Sequence, residues 1–268
     1  MAISEGASMI KAVLYDLDDT LLNINLTAFV ARYLSGEAKL LSKISGIPFP
    51  KTMHAITRAY LAVDSQERTD DLTNRQLFDE IVLSHTGIPL SDPAIADAIE
   101  CYEKTEISLM RDGLVQARPR AGVREALEAT KSLGLISALA TNPLFSLATD
   151  EVRMVWAGVT DDDFAAISTL DNSKRSKPSA RYYEEFCASI GCAPDECLMV
   201  GNDTRRDFPR PDIGLPTAYV GHAWPKRAMF RGDLLSFAEA LPGIVAYLDA
   251  ADTQKGCLNN MPDGKGEA

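Results

Sequence analysis

The chain has 268 residues, 46% of them hydrophobic, and a formal net charge of −11 from 27 basic and 38 acidic side chains. That is enough apolar material for a real core and too much chain for one average domain, so disorder is not the default and one large or two modest domains are expected. The acidic balance argues against non-specific binding to nucleic acid or an anionic membrane, yet one lysine and one metal ion can reverse the field locally for a small anionic substrate.

The first elements in chain order are a flexible leader of eight or nine residues and a strand. Val13, Leu14 and Tyr15 form a short apolar, β-prone run of the kind buried on both faces. The run stops abruptly at acids: Asp16 and Asp18, with a hydroxyl following at Thr20. Carboxylates at the carboxyl end of a buried strand are costly unless a cation or hydrogen bonds offset them, and that end is where open α/β sheets bind ligands. A calcium loop is excluded because its sixth position is Leu21 rather than glycine and its twelfth is Thr27 rather than glutamate.

The pattern then turns helical for about ninety positions. A helix is expected from Thr27 to about Ser42, a second from Lys51 to Val63, a third opened by the Thr73 and Gln76 capping box and closed at Gly87, and a fourth opened by Ser91 with Pro93 and ending near Gly113. Four amphipathic helices in a row suggest a small bundle. Asn23 and Asn25, in the hinge before it, could line a cleft or only turn the chain. Arg58, Arg75, Arg111 and Arg118 could reach a distal group of a substrate, each otherwise an ordinary surface residue.

From Pro119 the rhythm becomes helix–strand. Helices are expected over Ala121 to Leu133, Ser146 to Trp156 and Ser179 to Ile190, and strands over Leu135 to Ala140, Ala165 to Thr169, Cys197 to Val200 and Pro216 to Val220. Such alternation gives βα units and a parallel sheet. The fold expected is therefore α/β: a Rossmann-like parallel sheet core, residues 9–23 and 116–250, with an inserted α-helical cap, residues 24–115, and a disordered tail over 251–268. Asp161, Asp162 and Asp163 read as a solvated turn, and Trp156 and Trp224 as packing residues.

The five cysteines show no CxxC pair and the three histidines no zinc spacing, so free thiols in a reducing compartment are the simplest account. With no signal-peptide pattern and no run near the ~20 apolar residues that span a bilayer, a soluble cytoplasmic protein is expected.

Four strand or loop ends carry polar groups: Asp16 with Asp18, Thr141 with Asn142, Lys177 before Pro178, and Asp203 with Asp207. Parallel strands bring their carboxyl ends to one rim. Several acids there repel one another unless a divalent cation sits among them, and oxygen ligands favour Mg²⁺. Phosphoryl transfer uses such a set: a carboxylate to attack phosphorus, an ammonium and a hydroxyl for the non-bridging oxygens, and a second carboxyl to give and take a proton. Crowding by Asp16 would raise the pKa of Asp18 toward that role. Taken singly, Thr141 is a turn residue, Lys177 a surface lysine with Lys174 and Arg175 as rivals, and Asp203 and Asp207 helix caps.

Here the sequence resembles the haloacid dehalogenase superfamily, whose members are mostly phosphatases. Asp16-Leu17-Asp18-Asp19-Thr20 looks like its DxDxT signature. Thr141, Lys177-Pro178 and Gly201-Asn202-Asp203 with Asp207 resemble its second, third and fourth motifs, in order, from Lys11 to about Gly221. The helical insertion falls where the type C1 cap of the family sits. The resemblance implies Asp16 as nucleophile and Asp18 as general acid and base. It implies Mg²⁺ held by the Asp16 carboxylate, the Asp18 carbonyl and Asp203, a phosphate gripped by Thr141, Asn142 and Lys177, and Asp207 orienting the water shell of the metal or Lys177. One departure is the Gly-Asn-Asp of the fourth motif, which leaves Asn202 as a rival to Asp203 at the metal. The function implied is hydrolysis of a small phosphorylated metabolite. A 2-haloacid dehalogenase needs no acid at Asp18; a phosphomutase shares the motifs; a non-catalytic regulator would not need the whole set.

Overall fold

The structure, a computed structural model, describes the backbone of residues 10–259 and the side chains of residues 10–250. Its centre is a five-stranded parallel sheet built from β1 (Ala12–Tyr15), β4 (Ile136–Leu139), β5 (Cys197–Gly201), β6 (Thr217–Val220) and β7 (Phe230–Gly232), ordered β4-β1-β5-β6-β7. The first strand is thus flanked on both sides. Alternation divides its side chains between two cores: Val13 and Tyr15 enter one cluster, and Ala12 and Leu14 another that holds Tyr182, Tyr183 and Phe186. The fully apolar strand read from the sequence is buried at every position.

A two-stranded antiparallel ribbon, β2 (Leu22–Asn23) with β3 (Arg118–Pro119), forms the neck of the helical insertion. Between them lie α1 (Leu26–Ser45), α2 (Phe49–Val63), α3 (Asn74–Thr86) and α4 (Pro93–Thr105). The capping box at Thr73 and Gln76 forms as expected, and Gly87 closes α3 in the left-handed region at φ 74°. The fourth helix differs from expectation. The side chain of Asp92, rather than Ser91, caps it, and it ends at Thr105 instead of near Gly113. Beyond that point a 3₁₀ turn at Ser108–Met110 directs Ile107 and Met110 into the core, which a straight helix would not do.

The remaining helices are α5 (Val123–Ser132), α6 (Leu147–Ala157), α7 (Ala180–Ser189) and α8 (Leu234–Asn259). The strand expected at Ala165 to Thr169 is reduced to a single bridge, Ile167 with Leu139, beside the edge of β4. The unexpected elements include the short ribbon strands β2 and β3, the three-residue edge strand β7, and α8, which continues through Pro242. The backbone of α8 runs on to Asn259, so the first part of the stretch expected to be disordered is helical; residues 260–268, like the leader at 1–9, lie outside the described residues. Trp156 packs inside against Phe29, but Trp224 is 79% exposed beneath Arg231, a surface position rather than the packing role expected. The four described cysteines are free thiols. Among the described residues no helix is long and apolar enough to cross a membrane.

One buried acid in the insertion has a measurable consequence. Glu37 on α1 is only 2% exposed, and its Oε2 lacks a hydrogen-bond partner. Burial, followed by the nearby charge of Glu103, pushes its carboxyl up to about 8, against the opposing effect of Arg75. The folded chain therefore retains a proton that the unfolded chain loses above about pH 4.5, and stability falls as pH rises across that window. Glu37→Gln is expected to stabilise the protein by on the order of 3 kcal/mol at pH 8 and far less at pH 5. Denaturant melts at the two pH values check this; an equal effect at both would contradict it.

Candidate active site

The register of the sheet sets the site. Tyr15 pairs with Leu139 on one side and Val200 on the other, so Asp16, Thr141 and Asn202 emerge together at the carboxyl ends of three adjacent strands. Asp16 N donates to Val200 O at 2.9 Å and Ala140 N to Tyr15 O at 2.8 Å, which carries the ladder to the rim. Past Asp16 the chain reverses through Asp19, a non-glycine residue at φ 55°, whose carbonyl is fixed by Arg120 Nη1 at 2.8 Å.

Lys177 is the hub. It is fully buried, and its Nζ lies 2.7 Å from Asp16 Oδ1 and 2.8 Å from Asp207 Oδ1. Burial works to lower its pKa, but the facing carboxylates of Asp16 and Asp207 outweigh it and hold the ammonium above the ordinary lysine value. Its loop is fixed from three sides. Asn142 Oδ1 accepts from Lys177 N at 3.1 Å, while Gln66 Nε2 and Arg206 Nη1 donate to Lys177 O at 3.1 and 2.9 Å. The sequence rivals lie elsewhere: Arg175 reaches back to Asp70 O, and Lys174 does not line the cleft.

Asp207 joins the fourth strand end to this hub. Its Oδ2 accepts from Asp203 N at 2.8 Å, and its carboxyl is pushed up to about 7 by burial, against the lowering effect of Lys177. The close approach depends on Gly201, where an added Cβ would lie 2.2 Å from Asp207 Cγ. Asn202 and Asp203 divide as follows. Thr20 Oγ1 lies 3.1 Å from both Asp16 Oδ2 and Asn202 Oδ1, so the amide stands next to Asp16, while Asp203 Oδ1 accepts from Arg205 N at 2.8 Å. Both line the cleft.

Thr141 is buried, and its main-chain oxygen accepts from Ser168 Oγ at 2.7 Å and Tyr182 Oη at 2.9 Å. Its own hydroxyl is buried without a partner, the state of a donor kept for something absent from the chain itself. Asp18 is held differently from the rest. Its Oδ2 accepts from Arg153 Nη1 at 2.7 Å, and its Oδ1 is buried and unpartnered. Its pKa is raised chiefly by burial, with Arg153 lowering it and Asp16 raising it further in the direction expected, by less than burial does.

These groups line one cleft of about 270 Å³, closed on the insertion side by Leu26 and Tyr60 and on the core side by Leu144 and Phe145. Six of the seven residues expected at the site line it; Thr141 does not, although its chain neighbour Asn142 does. Five aspartates, at 16, 18, 19, 203 and 207, face two basic groups, Lys177 and Arg206. The donor set at the rim is oxygen-rich and in charge excess, which fits a hard divalent cation. Among the described residues no group of three or more His, Cys, Asp or Glu side chains forms a metal cage by itself, so a cation here would also need carbonyl or water oxygens.

The insertion contributes residues other than those expected. Asp64, the C-cap of α2, forms a bidentate ion pair with Arg206, which lines the cleft, at 2.5 and 2.7 Å. Arg75 pairs with Asp171, Arg118 with Asp112, Arg111 with Ala117 O, and Arg58 is exposed; none of the four lines the cleft. Asn25 caps α1 through Ala28 N, and Asn23 is exposed on the ribbon. Arg153 and Arg206 were missed by sequence reasoning. For Arg153 a signal existed: its position on α6 falls on the buried face, with Thr149, Met154, Trp156 and Ala157.

Residues 10–209 match the family described as haloacid dehalogenase-like hydrolase. A phosphoglycolate phosphatase from Thiobacillus denitrificans is 32% identical over 203 residues, spanning 73% of this chain and 78% of the relative. A solved HAD phosphatase from Thermococcus onnurineus superposes with a TM-score of 0.52 at 17% identity, covering 87% of this chain and 98% of that one. A haloacid dehalogenase-like hydrolase from Xanthomonas campestris gives 0.51 at 21% identity, covering 94% and 97%. Sheet order, strand-end chemistry and these likenesses agree, and the chain belongs to the haloacid dehalogenase-like hydrolases, as a phosphatase-like enzyme of that family.

Proposed function

We propose that the protein hydrolyses a small phosphomonoester through an aspartyl-phosphate on Asp16. The observation that carries this reading is the Lys177 ammonium bridging Asp16 and Asp207 in the cleft that Asp18 and Asn142 also line. Lys177 and Thr141, with Asn142 next to them, suit the non-bridging oxygens of a phosphate. Asp16 Oδ2 forms the bond to phosphorus as the ester P–O bond breaks, and the departing oxygen takes a proton from Asp18 to leave as an alcohol. Water then attacks phosphorus and gives its proton to Asp18, which frees the Asp16 carboxylate and inorganic phosphate. A Mg²⁺ ion held by the Asp16 carboxylate, the Asp18 carbonyl and Asp203 would supply charge neutralisation for the transferring phosphoryl group.

The helical insertion acts as the cap of this site, opening for exchange and closing against bulk water. The size of the cleft favours a small metabolite, and its acidic surroundings a diffusing cytoplasmic substrate rather than nucleic acid or a membrane. Phosphoglycolate, from the name of the Thiobacillus relative, is the first compound to test. The assay is phosphate release from an aryl phosphate and a panel of phosphorylated metabolites, with Mg²⁺ and with chelator. Release that needs the metal is expected; release unaffected by chelator, or none from any compound, contradicts the reading.

The metal assignment has its own test. Asp203→Ala is expected to raise the Mg²⁺ concentration for half-maximal activity by about tenfold or more, and Asn202→Ala by less. A larger shift from Asn202→Ala would transfer the ligand role to the amide that neighbours Thr20 and Asp16.

A further inference from the structure

We infer that Arg153 is the positioning residue of the general acid: it holds Asp18 Oδ2 and so fixes the rotation of the carboxyl. The inference rests on the phosphatase reading above and adds to it a residue outside the four motifs.

Arg153 is fully buried on α6, a charge that must be compensated to be stable there. Its two terminal nitrogens point to two acids: Nη2 donates to Asp150 Oδ1 at 2.5 Å and Nη1 to Asp18 Oδ2 at 2.7 Å. The guanidinium carbon lies 4.5 Å from the ring centre of Phe145 and 5.5 Å from that of Phe29, so aromatic faces confine the planar group. The chain Asp150–Arg153–Asp18 therefore runs from the helix to the rim as a rigid fork.

A carboxyl that must first give and then take a proton needs one oxygen in a fixed place. Without a partner, the Asp18 carboxyl can rotate about its last torsion and offer either oxygen. Arg153 removes that freedom by holding Oδ2. Oδ1 is buried and has no partner of its own, so the hold on Oδ2 is what sets the orientation of the group. Phe29 comes from α1, so the cage around Arg153 is completed only with the insertion docked.

Leaving-group dependence separates positioning from mere packing. A phenolate departs without a proton, whereas an alkoxide needs one, so loss of acid positioning harms alkyl esters selectively. Wild type, Arg153→Gln and Arg153→Lys are compared on p-nitrophenyl phosphate and on phosphoglycolate or glycerol phosphate, all with Mg²⁺. Arg153→Gln is expected to slow the first, single-turnover release of the alcohol about 100-fold and of p-nitrophenol about threefold or less, with Arg153→Lys recovering part of the alkyl rate; this first step is read because the later attack of water uses Asp18 for both substrates. Equal losses on both substrates, or none on the alkyl phosphate, would overturn the assignment. If Arg153→Gln does not fold, Arg153→Lys is placed in an Asp18→Asn background. There it should add no further alkyl-phosphate loss, and a full additive loss would overturn the assignment. Wild type inactive on both classes would instead remove the phosphatase reading, and this role with it.

Discussion

Asp16→Asn is expected to reduce phosphate release by about a thousandfold or more while leaving the fold intact. The amide is a poor nucleophile toward phosphorus, and loss of the attacking group removes the covalent route altogether. The structural cost is small for stated reasons. An asparagine keeps an oxygen for Lys177 Nζ and remains within reach of Thr20, and Lys177 retains its 2.8 Å ion pair with Asp207. Thermal melts should therefore shift by only a few degrees. Activity within about tenfold of wild type would mean that another group attacks phosphorus.

Lys177→Met is expected to have the largest effect on stability. The ammonium is fully buried between two carboxylates, one of them the fully buried Asp207. Its removal leaves like charges facing each other in a medium of low polarity, which costs about 3–5 kcal/mol when one member of a buried ionic group is deleted. Denaturant unfolding in chelator measures this without any contribution from bound metal. Adding Asp207→Asn to the variant removes one of the stranded charges and should restore part of the loss. A single variant within about 1 kcal/mol of wild type would show that the site does not depend on this ion pair. Activity should fall in parallel, since the same Nζ is the group proposed to face the phosphate.

The convergence of the site was legible because it follows from two simple rules. An apolar run that ends in an acid gives a buried strand with a polar tip, and parallel strands align their tips. Asp16, Thr141 and Asp203 needed no more than that, and Lys177 came from its company and the proline behind it. What was not legible depended on tertiary partners. Arg153 and Asp150 read as a routine i, i+3 pair on a helix surface until Asp18 is seen at the other end of the guanidinium. Arg206 gains its place through Asp64, 142 residues away in sequence, and through the carbonyl of Lys177. Of the arginines chosen from sequence, Arg75, Arg111 and Arg118 find acids or carbonyls outside the cleft and Arg58 is exposed, because exposure alone carries no direction. Helix α8 is not among the elements expected from sequence; Pro242 and Gly243 disfavour a helix locally, yet packing against α5 and the buried Phe237 and Leu241 hold the turns around them. The segment around Ile167 has strand composition but borders only the edge of β4, so a single bridge forms.

The central claim, that Asp16 becomes covalently phosphorylated, is tested most directly by acid quench of the working enzyme with ³²P-labelled substrate, followed by peptide mapping. The account predicts acid-stable, hydroxylamine-labile label on the peptide carrying Asp16, absent from the Asp16→Asn variant. Turnover without trapped label at any quench time, or label on another residue, would contradict it.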